Sequence, residues 1–200
     1  NGLSGAEIAQ KMLTDNHIHD VKITQVNGQL TDHYNPQNKT VNLSTDVYNG
    51  RSTASAAVAA HEVGHAVQHA TAYAALQMRS TLVPAASIAG RVMGMLNMFL
   101  FMGGFYMITQ GSSIGNMLLI VLIAANAAIT AFSLITLPVE FDASNRALKW
   151  METRNVVNQQ EHAQAKDALK WAAMTYVVGA LAAVANLAYF VMLFVGGGDD

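Results

Sequence analysis

The chain has 200 residues, of which 52% are hydrophobic and only 12% are charged, and its formal net charge is −2. This charged fraction is about half that of an ordinary soluble domain, and a slightly negative charge argues against nucleic acid as a partner. Because the chain has no cysteine, disulfide bonds and thiolate metal sites are excluded, and any metal needs histidine and carboxylate ligands.

A short helix and a strand are predicted at the start of the chain. Ser4 and Glu7 have the spacing of a capping box, and an apolar stripe follows, so we predict a helix over about residues 4–16. Val21–Thr24 has the composition of a strand. These elements are typical of a small α+β unit.

A hairpin is predicted next, with Leu30–Tyr34 as one arm and Lys39–Leu43 as the other. The residues Asn35–Asn38, which include a proline, supply the turn between them. The second arm could pair with an extended peptide, as exposed strand edges do in peptide recognition. An ordinary edge strand explains the same pattern equally well.

The most informative motif lies in a predicted helix that begins near Ser52 and extends to about residue 70. His61 and His65 are four residues apart, so a helix projects both imidazoles from one face. Neutral imidazole is a preferred zinc ligand, and Glu62 is placed to polarise water held by that metal. The motif predicts zinc-dependent peptide hydrolysis. Two histidines in an ordinary amphipathic helix are the alternative.

A catalytic zinc requires a third protein ligand, and two residues are candidates. His69 follows His65 by four residues, but the eight residues that separate it from His61 rise about 12 Å along a helix. We therefore expect His69 to be a supporting or surface residue. Glu140 comes shortly after a long stretch without charged residues, Ile114–Leu137. It could bind the metal, or it could simply favour the positive end of a helix dipole, and spacing leaves both interpretations open.

Three long stretches contain no charged residue, namely Val92–Thr109, Ile114–Leu137 and Ala172–Val195. A membrane-spanning helix needs about twenty apolar residues, so we predict three transmembrane helices. The alternative, three helices buried in a soluble core, would need more polar surface than 200 residues offer.

The order of these helices predicts the membrane topology. A transmembrane hairpin returns the chain to the side that it left, so Glu140 emerges on the side of the histidine motif. All eleven Lys and Arg lie on that side or at its border. The opposite side has only the turn Gly111–Ser113 and the acidic tail Asp199–Asp200. The positive-inside rule therefore predicts a cytoplasmic motif, and Trp150 and Trp171 are predicted as interfacial anchors.

The stretch His61–His69, with Leu137–Ser144 downstream, resembles the YugP-like bacterial membrane zinc metallopeptidases. More distantly it is similar to the gluzincin membrane proteases, which include HtpX and the CAAX prenyl proteases. The resemblance covers essentially the whole chain. It implies a multi-pass protein of the bacterial plasma membrane with a zincin-like catalytic unit, and a further transmembrane helix before residue 1.

The resemblance also implies roles for individual residues. One zinc ion per chain would be bound by two histidines and a glutamate, with a second glutamate as the base: His61, His65, Glu140 and Glu62. The wider group has an aspartate four residues after the ligand glutamate, where this chain has Ser144. Either Asp142 or another acid supports a ligand histidine instead, or that histidine is held more weakly.

Peptide hydrolysis also needs a hydrogen-bond donor for the developing oxyanion. The sequence offers several candidates without ranking them: His33, Tyr34, Tyr48 and Arg146. Small-xxx-small spacings such as Gly90–Gly94 permit close helix packing, but they are common without assembly. An oligomer is therefore possible but unsupported.

The sequence thus predicts an α+β membrane protein, mainly α, with a small N-terminal zincin-like unit. Its predicted segments are a cytoplasmic catalytic unit 1–80 with the active helix 52–70, a transmembrane hairpin 81–139 (92–109 and 114–137), a cytoplasmic helical segment 140–171 carrying the third ligand, a transmembrane helix 172–195 and a tail 196–200. The predicted function is an integral membrane zinc endopeptidase that cleaves membrane-associated or unfolded polypeptides. The alternatives are a non-enzymatic zinc-stabilised scaffold or binding protein and a membrane hydrolase of small amides.

Overall fold

The computed structural model describes residues 2–110 and 112–196, except for the side chains of Phe105 and Thr109. Gly111 of the predicted turn and the acidic tail Asp199–Asp200 lie outside the described residues. The chain divides into two units. Unit 1 consists of Asn1–Gln77 and Leu137–Thr175, and unit 2 of Met78–Thr136 and Tyr176–Asp200.

Helix α1, Gly5–Asp15, opens unit 1 with the predicted capping box. The Ser4 hydroxyl accepts a hydrogen bond from the backbone N–H of Glu7 at 3.3 Å, and the Glu7 carboxylate accepts one from the backbone N–H of Ser4 at 2.7 Å. Two N–H groups that the helix itself cannot pair are thereby satisfied. The predicted helix over residues 4–16 is confirmed.

Replacing Ser4 with alanine is expected to lower the free energy of unfolding by about 1 kcal/mol, because the N–H of Glu7 loses its acceptor. Chemical denaturation of the purified protein, followed by circular dichroism, measures this loss. Ser4→Thr is the control, since it keeps the hydroxyl and should unfold close to the wild type. Equal destabilisation by both substitutions would contradict a capping role.

A three-stranded sheet follows, formed by β1 (Lys22–Val26), β2 (His33–Asn35) and β3 (Thr40–Ser44) in the order β1-β3-β2. β3 pairs parallel with β1 and antiparallel with β2. The predicted hairpin is present, but its first arm starts at His33 because Leu30 is 98% exposed in a left-handed conformation (φ 55°). The predicted edge position of Lys39–Leu43 is wrong, since β3 is paired on both sides.

Helices α2 (Thr45–Asn49) and α3 (Thr53–Ala70) complete the first segment of unit 1. The predicted cap of α3 is confirmed, because the Ser52 hydroxyl accepts a hydrogen bond from the backbone N–H of Ser55 at 3.1 Å. α3 packs closely against α1, because seven of its twelve buried residues are alanine, glycine or serine. The helix that carries the histidine motif is therefore held firmly within unit 1.

Trp150 belongs to the hydrophobic core of unit 1. The residue is only 8% exposed, and its indole Nε1–H donates to the Asp15 carboxylate at 2.9 Å. The predicted role of Trp150 as an interfacial anchor is therefore wrong, because its ring packs against the protein interior. Trp171 is 63% exposed, and the Lys170 ammonium lies 5.9 Å from the centre of its ring.

The remaining elements are all helical, and three of them are long. They are α4 (Ala74–Phe99), followed by a π-helical turn (Leu100–Gly104), α5 (Phe105–Thr109), α6 (Ser113–Thr153) and α7 (Gln159–Gly196). Within the described residues, three helices are long and apolar enough to cross a membrane: Ala74–Gly104, Ser113–Thr153 and Gln159–Gly196. The chain is thus mostly helical with one small sheet, as predicted.

Two of these helices differ from the predicted boundaries. The first apolar helix is not a continuous span over 92–109, because Gly103 adopts a positive φ of 105° that breaks the helix. α6 continues through Pro138, so Glu140 extends a helix instead of opening one. Proline removes one backbone donor, and apolar membrane helices tolerate that loss.

Candidate metal centre

His61, His65 and Glu140 converge in unit 1. Each offers a ligand atom, and these atoms all lie within 4.8 Å of one another. The Nε2 atom of His61 is 3.3 Å from Oε2 of Glu140, and Nε2 of His65 is 3.6 Å from the same oxygen. The two imidazole rings meet edge to face, with their centres 4.8 Å apart. The three residues that the sequence suggested as a ligand set are therefore brought together.

The close approach of two helices makes this convergence possible. His61 and His65 lie one turn apart on α3, and Glu140 lies on α6. Between the histidines, the buried Gly64 faces α6 so closely that an added Cβ would lie 2.6 Å from the carbonyl oxygen of Ala143. Only a residue without a side chain fits there, so Gly64 allows the backbones to approach and the carboxylate to reach both imidazoles.

The donor set fits zinc. Two imidazoles and one carboxylate are a usual ligand set of catalytic zinc. Ligand atoms about 2.0–2.2 Å from a tetrahedral ion are about 3.4 Å from each other. The two measured separations from Glu140, 3.3 and 3.6 Å, are close to that value. All of the ligand atoms lie within 4.8 Å of one another, so the site could accept the ion after a modest adjustment of these side chains.

The electrostatics of the site also favour a cation. Burial has the largest single influence and lowers the pKa of His65, but the hydrogen bond and charge of Glu140, the charge of Glu62 and the hydrogen bond to Gln68 together outweigh it. The net effect raises the pKa of His65 above its ordinary value. Two carboxylates thus act on one buried imidazole, and a positive charge at this place is stabilised.

The second nitrogen of each histidine ring is also held. Nδ1 of His61 lies 3.1 Å from the Ser144 hydroxyl, and Nδ1 of His65 lies 2.9 Å from the amide oxygen of Gln68. The amide nitrogen of Gln68 donates to the Asp142 carboxylate at 2.8 Å. Ser144 therefore touches one histidine directly, whereas Asp142 reaches the other only through Gln68.

Gln68 was not among the residues predicted for the site. Its signal was present, because a side chain three residues after His65 lies on the same face of the helix. The residue is fully buried (0% exposed), and burial of an amide requires partners. Glu62 was identified from the motif, and it is buried on α3 with 8% exposure.

The four candidates for an oxyanion donor lie in different surroundings. The Arg146 guanidinium is paired with Asp142 at 2.5 Å. His33 is exposed, with Nδ1 2.8 Å from the carbonyl of Thr31, and Tyr48 packs against the core of unit 1. Each of these three side chains thus contacts a group outside the ligand set.

Tyr34, the fourth candidate, forms a pair with His69. Its hydroxyl is 2.7 Å from Nδ1 of His69, which is exposed and outside the converging group. This agrees with the exclusion of His69 by helix rise. Burial, with the negative charge of Asp20, raises the pKa of Tyr34 to about 12, so its hydroxyl stays protonated and able to donate.

Comparison with known proteins gives a consistent result. Residues 1–195 match the family described as "Putative neutral zinc metallopeptidase". The chain belongs to this family. It is also similar to "Putative membrane protease YugP" of Bacillus subtilis (strain 168), with 40% identity over 200 residues that cover 100% of this chain and 84% of the relative. No solved structure matches the chain significantly.

Membership in this zinc metallopeptidase family confirms the resemblance drawn from the histidine motif and the segment around Glu140. The family implies zinc as cofactor and a polypeptide as substrate. The three apolar helices are consistent with a membrane protein. The converging group on α3 and α6 is the candidate place for the ion.

Proposed function

We propose that the protein is an integral membrane zinc endopeptidase that cleaves membrane-associated or unfolded polypeptides. One observation carries the proposal. In a chain of the zinc metallopeptidase family, two imidazoles converge on one carboxylate oxygen, each at the ligand separation of a tetrahedral zinc site, with Glu62 beside the first histidine. The catalytic unit is accordingly of the gluzincin type.

His61, His65 and Glu140 hold the metal in this proposal, leaving one tetrahedral position for water or substrate. Zinc, when bound, lowers the pKa of water and polarises a carbonyl group. The hydrogen bonds at both Nδ1 atoms orient the rings so that the Nε2 atoms face the carboxylate. This orientation limits the reorganisation that metal binding would need.

Glu62 is the catalytic base and acid. Its carboxylate accepts a proton from the attacking water and then delivers it to the leaving amine. Burial of Glu62 limits competition from bulk water. Of the four candidates we assign the oxyanion donor to the Tyr34 hydroxyl, because it stays protonated and contacts His69 on α3, the helix that carries the two ligand histidines.

The site faces the cytoplasm of a bacterial plasma membrane in this proposal. Three helices have the length and composition of membrane spans. All eleven Lys and Arg lie in segments assigned to one side or its border, and such an excess marks the cytoplasmic side. The similar Bacillus protein is named a membrane protease.

Metal analysis of the purified protein tests the ligand set. We expect one zinc per chain, and substitution of His61, His65 or Glu140 by alanine should abolish stoichiometric binding. His69→Ala is the matched control, because His69 lies on the same helix but outside the converging group, so this variant should keep its zinc. A wild-type protein that binds no zinc would contradict the proposal.

Digestion assays separate the enzyme from its alternatives. An unstructured polypeptide should be cleaved internally, and a peptide library should be preferred over small amides. Zinc retained without any cleavage would favour a zinc-stabilised scaffold. Turnover confined to small amides would favour a different hydrolase.

A further inference from the structure

The side chain of Gln68 joins α3 to α6 next to the candidate metal centre. It is fully buried, with 0% exposure, and it makes three hydrogen bonds. Its oxygen lies 2.9 Å from Nδ1 of His65, and its nitrogen lies 2.8 Å from both the carbonyl of Val139 and the carboxylate of Asp142. Such complete pairing of a buried amide restricts it to one orientation.

These partners determine where the proton of His65 lies. The carbonyl of Val139 and the carboxylate of Asp142 can only accept hydrogen bonds, so the amide nitrogen of Gln68 faces them. The amide oxygen then faces His65 and can only accept. Nδ1 of His65 must therefore donate, which leaves the lone pair of the neutral ring on Nε2, 3.6 Å from Glu140.

Asp142 supplies negative charge to this arrangement and is itself fixed. One of its oxygens accepts from both Gln68 and Arg146, at 2.8 and 2.5 Å. The Arg146 guanidinium also lies over the ring of Tyr73, 5.8 Å from its centre. Because the amide nitrogen of Gln68 donates to this carboxylate, the negative charge of Asp142 polarises the amide. The amide oxygen that faces His65 thereby becomes a stronger hydrogen-bond acceptor.

His61 lacks such an arrangement. Its Nδ1 atom lies 3.1 Å from the hydroxyl of Ser144. A hydroxyl can donate or accept, so this contact alone does not fix the position of the ring proton. The two histidines are thus supported unequally, and the directed hydrogen bond belongs to His65.

We propose that Gln68 is a positioning residue that locks His65 in its Nδ1–H form and transmits the negative charge of Asp142 to it. Nε2 of His65 is therefore a stronger metal ligand than it would be without this hydrogen bond. The inference rests on the proposed function, in which His65 binds zinc. In this inference, the amide of Gln68 couples the carboxylate of Asp142 to the ligand histidine, His65.

Zinc affinity, measured by competition with a chromophoric chelator, tests this role. Gln68→Met keeps the length of the side chain and removes the amide, and we expect the zinc dissociation constant to rise about 10- to 100-fold. Asp142→Asn keeps an acceptor for Gln68 but removes the charge, so a smaller rise is expected. Thr71→Val is the control, because it removes hydrogen bonds at the same end of α3 away from His65 and should leave the affinity unchanged.

The double variant Gln68→Met/Asp142→Asn separates transmission from general loosening of the structure. If Asp142 acts through Gln68, the double variant should bind zinc no more weakly than Gln68→Met alone. Multiplication of the two single effects would overturn the proposal. The visible spectrum of the cobalt-substituted protein should also change in Gln68→Met and not in Thr71→Val, since it reports the ligand field at the metal.

The outcomes distinguish this inference from the proposed function. A wild-type protein without zinc refutes both. Normal zinc binding by the wild type with unchanged affinity in Gln68→Met refutes only the role of Gln68. If Gln68→Met does not fold, Asp142→Asn decides, because wild-type affinity in that variant contradicts transmission of charge.

Discussion

Glu62→Gln is expected to slow polypeptide cleavage on the order of 10²- to 10⁴-fold while zinc stays bound, the usual contribution of a general acid or base. Glutamine has nearly the same shape as glutamate but cannot take a proton from water at neutral pH. The ligand set, His61, His65 and Glu140, is left in place. The largest effect should therefore fall on kcat, measured with the zinc-loaded variant.

The control for this prediction is Glu152→Gln, which makes the same change at an exposed position in the last turn of α6. It should cleave at the wild-type rate. Undiminished cleavage by zinc-loaded Glu62→Gln would mean that another group accepts the proton. Loss of zinc from that variant would instead mean that Glu62 maintains the site itself.

The part of the candidate site that lies on one helix, His61 and His65, could be predicted because its geometry depends only on helix periodicity. Four-residue spacing places His61 and His65 on one face of any helix, and the same rise excluded His69. Glu140 was harder, because α6 had to pack against α3 before its carboxylate could reach the imidazoles. Spacing alone left open whether Glu140 is a metal ligand or a charge at the end of a helix, and only the family resemblance favoured a ligand.

Other features depend on contacts between segments that are distant in the chain. A tryptophan such as Trp150, in a helical segment next to a predicted membrane span, looks the same in sequence whether its ring meets lipid or packs in a protein core beside Asp15. The central position of β3 follows from its parallel pairing with β1, which the alternation of one strand does not indicate. Gln68 resembled any polar residue on a helix until its partners on α6 were known.

The division of the chain explains why long-range contacts matter so much for this site. Unit 1 is built from Asn1–Gln77 and Leu137–Thr175, with all of the intervening residues in unit 2. The histidines come from the first segment, and Glu140, Asp142 and Ser144 come from the second. Neither segment alone supplies a metal site, so correct packing of α3 against α6 is a condition for the proposed chemistry.

Gly64→Ala is expected to weaken zinc binding on the order of 100-fold and to lower cleavage at least as much, since misplacing a reacting group by about 1 Å can have an effect of that size. The added Cβ would lie 2.6 Å from the carbonyl oxygen of Ala143 and 3.1 Å from its Cα. The obstacle is backbone, which cannot rotate aside as a flexible side chain can. α3 and α6 must therefore separate, and Glu140 moves away from the imidazoles.

Chelator competition and cleavage assays measure this effect, and thermal unfolding should show destabilisation of about 1–3 kcal/mol from overpacking. Gly94→Ala is the matched control, because an added Cβ at that helical glycine meets nothing within 4 Å. It should bind zinc like the wild type. Wild-type zinc affinity in Gly64→Ala would show that the site tolerates separation of the two helices. Selective loss at Gly64 would instead support a site whose ligand distances are set by the approach of α3 to α6.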